Sequence, residues 1–174
     1  MSLEVRSPGL GDVEALGDLH VAAWQAAYRG LMPDAYLDGL RARDRAAWWV
    51  AVLSRPQRDA DVLQVAAVDG RVRGSVVAGP ARDDEAAGHG EVFALNVHPV
   101  VWGSGVGSAL LTVAQTGLGE AGFEHAVLWV VPGNMRARRF YEHAGWSVDD
   151  ARRVEQVHGV SVEEVRYRRT LPVG

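Results

Sequence analysis

The sequence predicts one mixed α/β domain, a central sheet of about six to seven strands flanked by four helices. Three observations predict it. Apolar residues recur at helical spacing in some stretches and in short β-branched runs in others, and the period switches several times along the chain. Gly, Pro and Asp stand at the switches. At 174 residues and 48% hydrophobic, the chain suits one domain with one sizeable core.

In order, a short strand at Leu3 to Arg6 ends before Pro8. Beyond Gly11 and Asp12, the residues Val13, Leu16, His20, Ala23, Trp24 and Ala27 recur at helical spacing. Gly30 and Pro33 interrupt, and a second helix is predicted from about Asp34 to Leu53, with Leu37, Leu40, Ala47, Trp48 and Ala51 on one side. The runs Val62 to Val68 and Val72 to Ala78 flank a turn with Asp69-Gly70, a hairpin signal. Ala81 to Gly90 is a polar loop. The strand EVFALNVH follows, then a glycine-rich turn and an amphipathic helix with Val106, Leu110, Val113, Ala114 and Gly117 on one face. A buried strand AVLWVV stops at Pro132-Gly133, and a compact helix from Asn134 to Ala144 ends at Gly145, a helix terminator. The tail reads as a last hairpin, Trp146 to Val157 and Val160 to Leu171, turning at His158-Gly159. The order β, α, α, β, β, β, α, β, α, β, β is that of a mixed α/β domain spanning residues 1–174, with no linker or repeat.

Composition excludes several chemistries. There is no cysteine and no lysine; all 18 cationic residues are arginines. Disulfides, cysteine-ligated zinc, a catalytic thiol, a Walker phosphate loop and Schiff-base chemistry are all ruled out. A formal net charge of −4 argues against a nucleic-acid binder. No apolar run approaches the roughly 20 residues of a membrane helix. The N-terminus does not read as a secretory signal. These observations predict a soluble cytoplasmic protein without a membrane partner. The six histidines show no metal-ligand spacing, so no metal site is expected.

The turn VHPVVWGSGVGSALL sets Gly103, Gly105 and Gly107 between a strand and a helix. Alternate glycines let the backbone turn tightly and gather N–H groups at the helix N-terminus, a site suited to a phosphate or pyrophosphate. A flexible loop that merely opens a helix is the simpler alternative. A dinucleotide-binding turn fits poorly, because Ser108 occupies the third glycine position of G-x-G-x-x-G and the next strand ends in Val131, Pro132 and Gly133 rather than an acid.

This sequence resembles the Gcn5-related N-acetyltransferases (GNAT). They carry a strand, a turn of the form (Gln/Arg)-x-x-Gly-x-(Gly/Ala) and a helix; here the turn is Trp102 to Gly107, WGSGVG. Further on they have an Asn, a helix with an aromatic-Tyr pair, then Gly and an aromatic; here this is NMRARRFYEHAGW, Asn134 to Trp146. The segment WQAAYRGLMPDAYLDGL is similar to the two-helix acceptor side of bacterial members, so the resemblance covers essentially the whole chain. Trp102 departs from the pattern, standing where the family most often has Gln or Arg.

The resemblance implies transfer of an acetyl group from acetyl-CoA (coenzyme A) to a primary amine of a small molecule, peptide or protein. With no cysteine to form an acetyl-enzyme, transfer is expected to be direct, in a ternary complex. The backbone of Leu95, Asn96 and Val97 would hold the pantetheine arm and meet the oxyanion. Trp102, Gly103, Ser104, Gly105, Val106, Gly107 and Ser108 would surround the pyrophosphate, and Asn134, Ala137, Phe140 and Tyr141 would complete the cofactor site. Tyr141 would protonate the departing thiolate; otherwise it is a core residue of the face Ala137, Phe140, Tyr141, Ala144. Glu91, six residues before Val97, is the candidate base, or else a solvated strand-end glutamate in a protein that uses a water chain. Arg136, Arg138 and Arg139 could meet the 3′-phosphate or form a solvated face. Trp24, Tyr28 and Tyr36, with Asp34 and Asp38 nearby, are candidate liners of a pocket for a cationic amine. A catalytically silent acyl-CoA-binding domain is the alternative, and a homodimer is among the assemblies the resemblance allows.

Overall fold

The computed structural model describes residues 1–172. Seven strands form one sheet: β1 (Leu3–Arg6), β2 (Val62–Val68), β3 (Arg71–Pro80), β4 (Gly90–Val97), β5 (His125–Val130), β6 (Ser147–Val157) and β7 (Val160–Thr170). Five helices accompany it: α1 (Val13–Tyr28), α2 (Asp34–Asp38), α3 (Ala42–Ser54), α4 (Val106–Glu120) and α5 (Met135–His143). The strand order is β1-β2-β3-β4-β5-β7-β6. Both tight hairpins form where positive φ is available: Asp69 and Gly70 at 48° and 78°, His158 and Gly159 at 48° and 82°. Two consecutive residues with φ above zero match the right-handed twist of the flanking strands.

The predicted helix Asp34 to Leu53 is two helices. Gly39 closes α2 by donating its N–H to the carbonyls of Ala35 and Tyr36, both at 3.1 Å. Arg41 is extended (φ −121°, ψ 121°) and starts α3 afresh. The break resets the helical phase, so Trp49 and Val52 are buried, whereas Trp48 on the expected face is 38% exposed. Replacing Trp49 by Ala would cost about 3–5 kcal/mol of stability, the usual toll of a cavity that size.

The two faces of the sheet carry different layers. On one, Val106, Leu110, Leu111, Ala114 and Leu118 of α4 pack with Val76, Ala78, Val92, Ala126 and Leu128 of the strands, and Tyr141 and Trp146 close the same cluster. On the other, Leu16 and Leu19 of α1 and Trp49 of α3 pack on Val65 of β2. A third cluster, Met32, Leu37 and Val162, joins α2 to β7. Each large aliphatic side chain removed from water contributes about 1.5–3 kcal/mol before conformational entropy is charged against it.

One feature of the sheet positions everything that follows. β4 and β5 run parallel and pair only at Gly90 with Ala126 and Glu91 with Val127. Beyond Glu91 the strands part. On its other edge β4 keeps its antiparallel pairing with β3, but Val92 faces Ala78 and Ala94 faces Val77, leaving Phe93 as an extra residue. Such a bulge bends and twists its strand, and it sits where β4 leaves β5.

Candidate active site

The parted strands leave main-chain groups of β4 without strand partners. His98 N–H bonds Arg73 C=O on β3 at 2.8 Å. Because successive residues of a strand point their N–H and C=O groups to opposite edges, Leu95 and Val97 direct theirs into the gap. The Val97 carbonyl accepts the indole N–H of Trp102 at 2.8 Å there.

The glycine turn stands at one end of this gap. Gly105 caps α4 with φ +90°, a conformation that favours glycine. A Cβ added at Gly103 or Gly105 would meet nothing within 4 Å, so the space over the turn is open. A bond from Ala109 N–H to Gly105 C=O (3.0 Å) closes the first turn of α4. The N–H groups of Val106, Gly107 and Ser108 precede it and have no intrahelical acceptor. At Gly107 a Cβ would lie 3.4 Å from the Phe140 ring, so the missing side chain seats α5 beside the turn. Ser104 Oγ donates to Val101 C=O at 2.6 Å, bracing the loop from below.

The arginines of α5 sort by partner. Arg138 donates to the Tyr167 hydroxyl (2.9 Å) and to Pro132 C=O (3.2 Å), which ties α5 to β7. Arg139 is exposed. Arg136 is exposed too, and stacks its guanidinium over the Trp102 ring at the edge of the turn. Asn134 caps α5 by accepting Ala137 N–H at 3.1 Å, and the Tyr28 hydroxyl lies beside its side chain.

Tyr28 and Tyr141 belong to opposite layers, yet Tyr141 feels the Tyr28 hydroxyl. Burial raises the Tyr141 phenol well above its ordinary value, with the nearby Tyr28 hydroxyl adding to the rise. Burial, with the Glu164 charge adding, pushes Tyr28 up to about 12. α1 lies on one face of the sheet and α5 on the other, so Tyr28 acts on Tyr141 across the sheet. Both phenols stay protonated at any physiological pH, which makes them proton donors and not bases.

Glu91 is not the solvated strand-end residue that its position in the sequence also allows. It is 1% exposed, at the last paired position before the strands part. Its carboxylate accepts the Arg82 N–H at 3.1 Å and lies 3.5 Å from the Arg82 guanidinium. On the same face stand groups with no signal in the sequence. Glu164 of β7 accepts Arg153 Nε at 2.7 Å. Burial pushes its carboxyl up against the pull of Arg153, and the like charges of Glu155 and Glu91 add to the rise. Arg153 also covers the Trp129 ring, its guanidinium carbon 4.3 Å from the centroid. Asp34 and Asp38 do not line this face as free carboxylates, because both are held by Arg29 at 3.1 and 2.9 Å. Trp24 and Tyr28 stack edge to face along α1 (5.0 Å), whereas Tyr36 sits at the far end against His158 (6.4 Å). His98 is engaged locally, its Nδ1 accepting Val100 N–H at 3.3 Å. Among the described residues no group of three or more His, Asp or Glu side chains could hold a metal ion, and no helix is long and apolar enough to cross a membrane.

Comparison with known proteins decides the family. The Acetyltransferase (GNAT) family profile matches residues 15–146, a span that contains the gap, the glycine turn and α5. The chain belongs to the GNAT family. This GNAT protein is 34% identical over 141 residues to an uncharacterized N-acetyltransferase of Archaeoglobus fulgidus, covering 80% of this chain and 89% of the relative. It is 28% identical over 130 residues to the uncharacterized N-acetyltransferase YuaI of Bacillus subtilis, covering 75% and 72%. Among solved structures, PaiA N-acetyltransferase of Thermoplasma acidophilum in complex with coenzyme A superposes with a TM-score of 0.74 at 20% identity, covering 98% and 99% of the two chains. YncA of Salmonella typhimurium with its cofactor acetyl-CoA gives 0.70 at 22% identity, covering 99% and 95%. These two likenesses establish the fold. Family membership makes this GNAT protein an acyltransferase.

Proposed function

We propose that the protein transfers an acetyl group from acetyl-CoA directly to a primary amine, both substrates being bound together. The observation that carries this reading is the parting of β4 from β5, with the glycine turn and the buried Tyr141 of α5 on the α4 side of the sheet. The gap offers what an acyl-pantetheine arm requires: the main-chain N–H and C=O of Leu95 and the N–H of Val97 on one side, and the edge of β5 on the other. The open space over Gly103 and Gly105 admits phosphate oxygens close to the free N–H groups of α4, where the helix dipole favours negative charge. Bound there, acetyl-CoA would supply the activated acetyl thioester.

The residues divide the remaining work. An alkylamine with a pKa of about 10 arrives mostly protonated. Glu91 takes that proton, directly or through one water, from a position shielded by the closed end of the gap. The Leu95 N–H faces the gap and meets the carbonyl oxygen as it gains negative charge; fixed donors of this kind need no reorganisation when charge develops. Tyr141 returns a proton to the leaving sulfur. Its raised phenol remains competent, because the burial that raises it raises a thiol beside it in the same direction. The acceptor enters from the face of Trp24, Tyr28 and Trp129, where Glu91 and Glu164 favour an ammonium.

Replacement of Tyr141 by Phe tests the reading. The maximal rate of coenzyme A release should fall by roughly 10²-fold or more, the usual scale for losing a general acid, while the affinity for acetyl-CoA changes little. An unchanged rate would return Tyr141 to a packing role. Binding of acetyl-CoA with no release of coenzyme A to any amine would favour the silent binding domain instead.

A further inference from the structure

Arg45 is a half-buried arginine without a counter-ion among the described residues. It stands on α3 with its guanidinium carbon 4.0 Å above the Trp48 ring. Its Nε is shut off from solvent and has no hydrogen-bond partner. The acids near it in sequence are engaged by other arginines: Asp44 by Arg43 at 3.8 Å, Asp34 and Asp38 by Arg29. Burial pushes the Arg45 guanidinium down from its ordinary value, yet an arginine does not give up its proton in a protein. A desolvated cation left unpaired is costly, and an anion brought to it removes that cost.

Three other elements bring groups to the same corner. His20 of α1 has a buried Nδ1 with no partner, and the charges of Arg45 and His158 both bear on it. Tyr36 of α2 lies in the field of Arg45 and stacks on His158 at the β6–β7 turn. The corner therefore presents a guanidinium, two imidazoles and a phenol, with no carboxylate among them. From here an aromatic stripe runs along α1. His20, Trp24 and Tyr28 follow at intervals of four residues with ring separations of 4.7 and 5.0 Å. Eight residues of helix advance about 12 Å, and the stripe ends at Tyr28, whose hydroxyl acts on Tyr141.

We infer that the acceptor is an amine that also carries a carboxylate about 12 Å away, and that Arg45 holds this carboxylate while the amine reaches Tyr28 and Glu91. An extended peptide advances about 3.3–3.6 Å per residue, so a free peptide of three or four residues spans the stripe from its N-terminal amine to its C-terminal carboxylate. The planar guanidinium fork suits a carboxylate bound by two parallel hydrogen bonds. Which end of the ligand carries the reacting amine rests on the acetyltransfer reading; the anion site at Arg45 does not.

Two measurements separate these claims. In the first, N-acetyl-Ala-Ala-Ala and its C-terminal amide are titrated into the protein by calorimetry with no acetyl-CoA present. The acid should bind at least tenfold tighter than the amide, and Arg45→Gln should bring the ratio near one. Equal binding to the unaltered protein overturns the proposal, and so does a ratio that survives in Arg45→Gln. In the second, coenzyme A release is followed with Ala-Ala-Ala, its amide, and Ala-Ala-Glu amide. The free acid should show the highest kcat/KM. Equal rates for Ala-Ala-Glu amide would assign the site to an acidic side chain of a longer chain and overturn the free-peptide occupant. Discrimination in binding with no coenzyme A released from any peptide would uphold the anion site and overturn the peptide as acetyl acceptor; no release with any primary amine at all would overturn the transfer reading as well.

Discussion

The guanidinium carbon of Arg136 lies 3.9 Å from the centroid of the Trp102 ring. The two residues come from different elements, Trp102 from the glycine turn and Arg136 from the first turn of α5. Trp102 stands where the family most often has a Gln or Arg that reaches the pyrophosphate. Its indole N–H is spent on the Val97 carbonyl, so it braces the turn and leaves the cationic role vacant. Its ring face holds the Arg136 cation at the same edge, an arrangement worth about 0.5–1 kcal/mol at an exposed site. Arg136→Ala should raise the KM for acetyl-CoA roughly tenfold, the scale of one lost charge-assisted hydrogen bond, and leave kcat nearly unchanged. Steady-state kinetics at varied acetyl-CoA checks this. An unaltered KM would make Arg136 a solvated surface residue.

Gly105 separates backbone strain from ligand blockage. Its φ of +90° is hard for any side chain, but open space surrounds it. Gly105→Ala should lower stability by about 1–2 kcal/mol through strain alone, read as a lower Tm, with coenzyme A still bound. Gly105→Glu carries the same strain and puts a carboxylate where the phosphates would lie. Calorimetry should show coenzyme A affinity lost in the Glu variant and retained in the Ala variant.

Two carboxylates, Glu91 and Glu164, lie close enough to act on each other, and their surroundings differ. Glu164 is bonded to Arg153 at 2.7 Å, so taking up a proton would break that ion pair. Glu91 accepts one main-chain N–H at 3.1 Å, has only a longer ion pair, 3.5 Å, to the exposed Arg82, and sits where β4 leaves β5. Glu91→Gln should cut kcat by roughly 10²-fold, the scale of a lost general base, with the KM for acetyl-CoA unmoved. Glu164→Gln should act chiefly on the KM of the amine. Exchange of these two patterns would make Glu164 the base. Equal, small effects would point to a water chain.

Much of this architecture is legible in the chain, and the exceptions have physical causes. The hairpins are announced by Asp69-Gly70 and His158-Gly159, because a two-residue turn needs positive φ at both places and few residue types supply it. The glycine turn and Asn134 are equally local. The break between α2 and α3 is hidden because Leu37 and Leu40 keep a helical period up to it, while Gly39 ends the helix by geometry that periodicity ignores. Arg153, Glu164 and Trp129 are invisible for another reason. They meet because β7 inserts between β5 and β6, an order of strands that no local pattern encodes. The effect of Tyr28 on Tyr141 likewise has no local signal, because the two residues lie on helices of opposite layers.

His20 makes the stability of the fold depend on pH. Burial, with the charges of Arg45 and His158 adding, lowers it from 6.5 to about 3. The folded protein therefore keeps His20 neutral, whereas the unfolded chain takes up a proton below about 6.5. Stability from this residue is fully present above that pH. As pH falls from about 6.5 toward 3 it is lost at up to about 1.4 kcal/mol per unit. At pH 5 the loss amounts to about 2 kcal/mol, or roughly 4–8 °C in Tm for a domain of this size. His20→Phe keeps a ring against Trp24 and removes both the titration and the unpartnered Nδ1. Thermal melts of the two proteins at pH 7.5 and pH 5 isolate the effect, since all other titrations are common to both. The variant should gain on the parent as pH falls; a constant difference in Tm would mean that His20 titrates alike in the folded and unfolded chain.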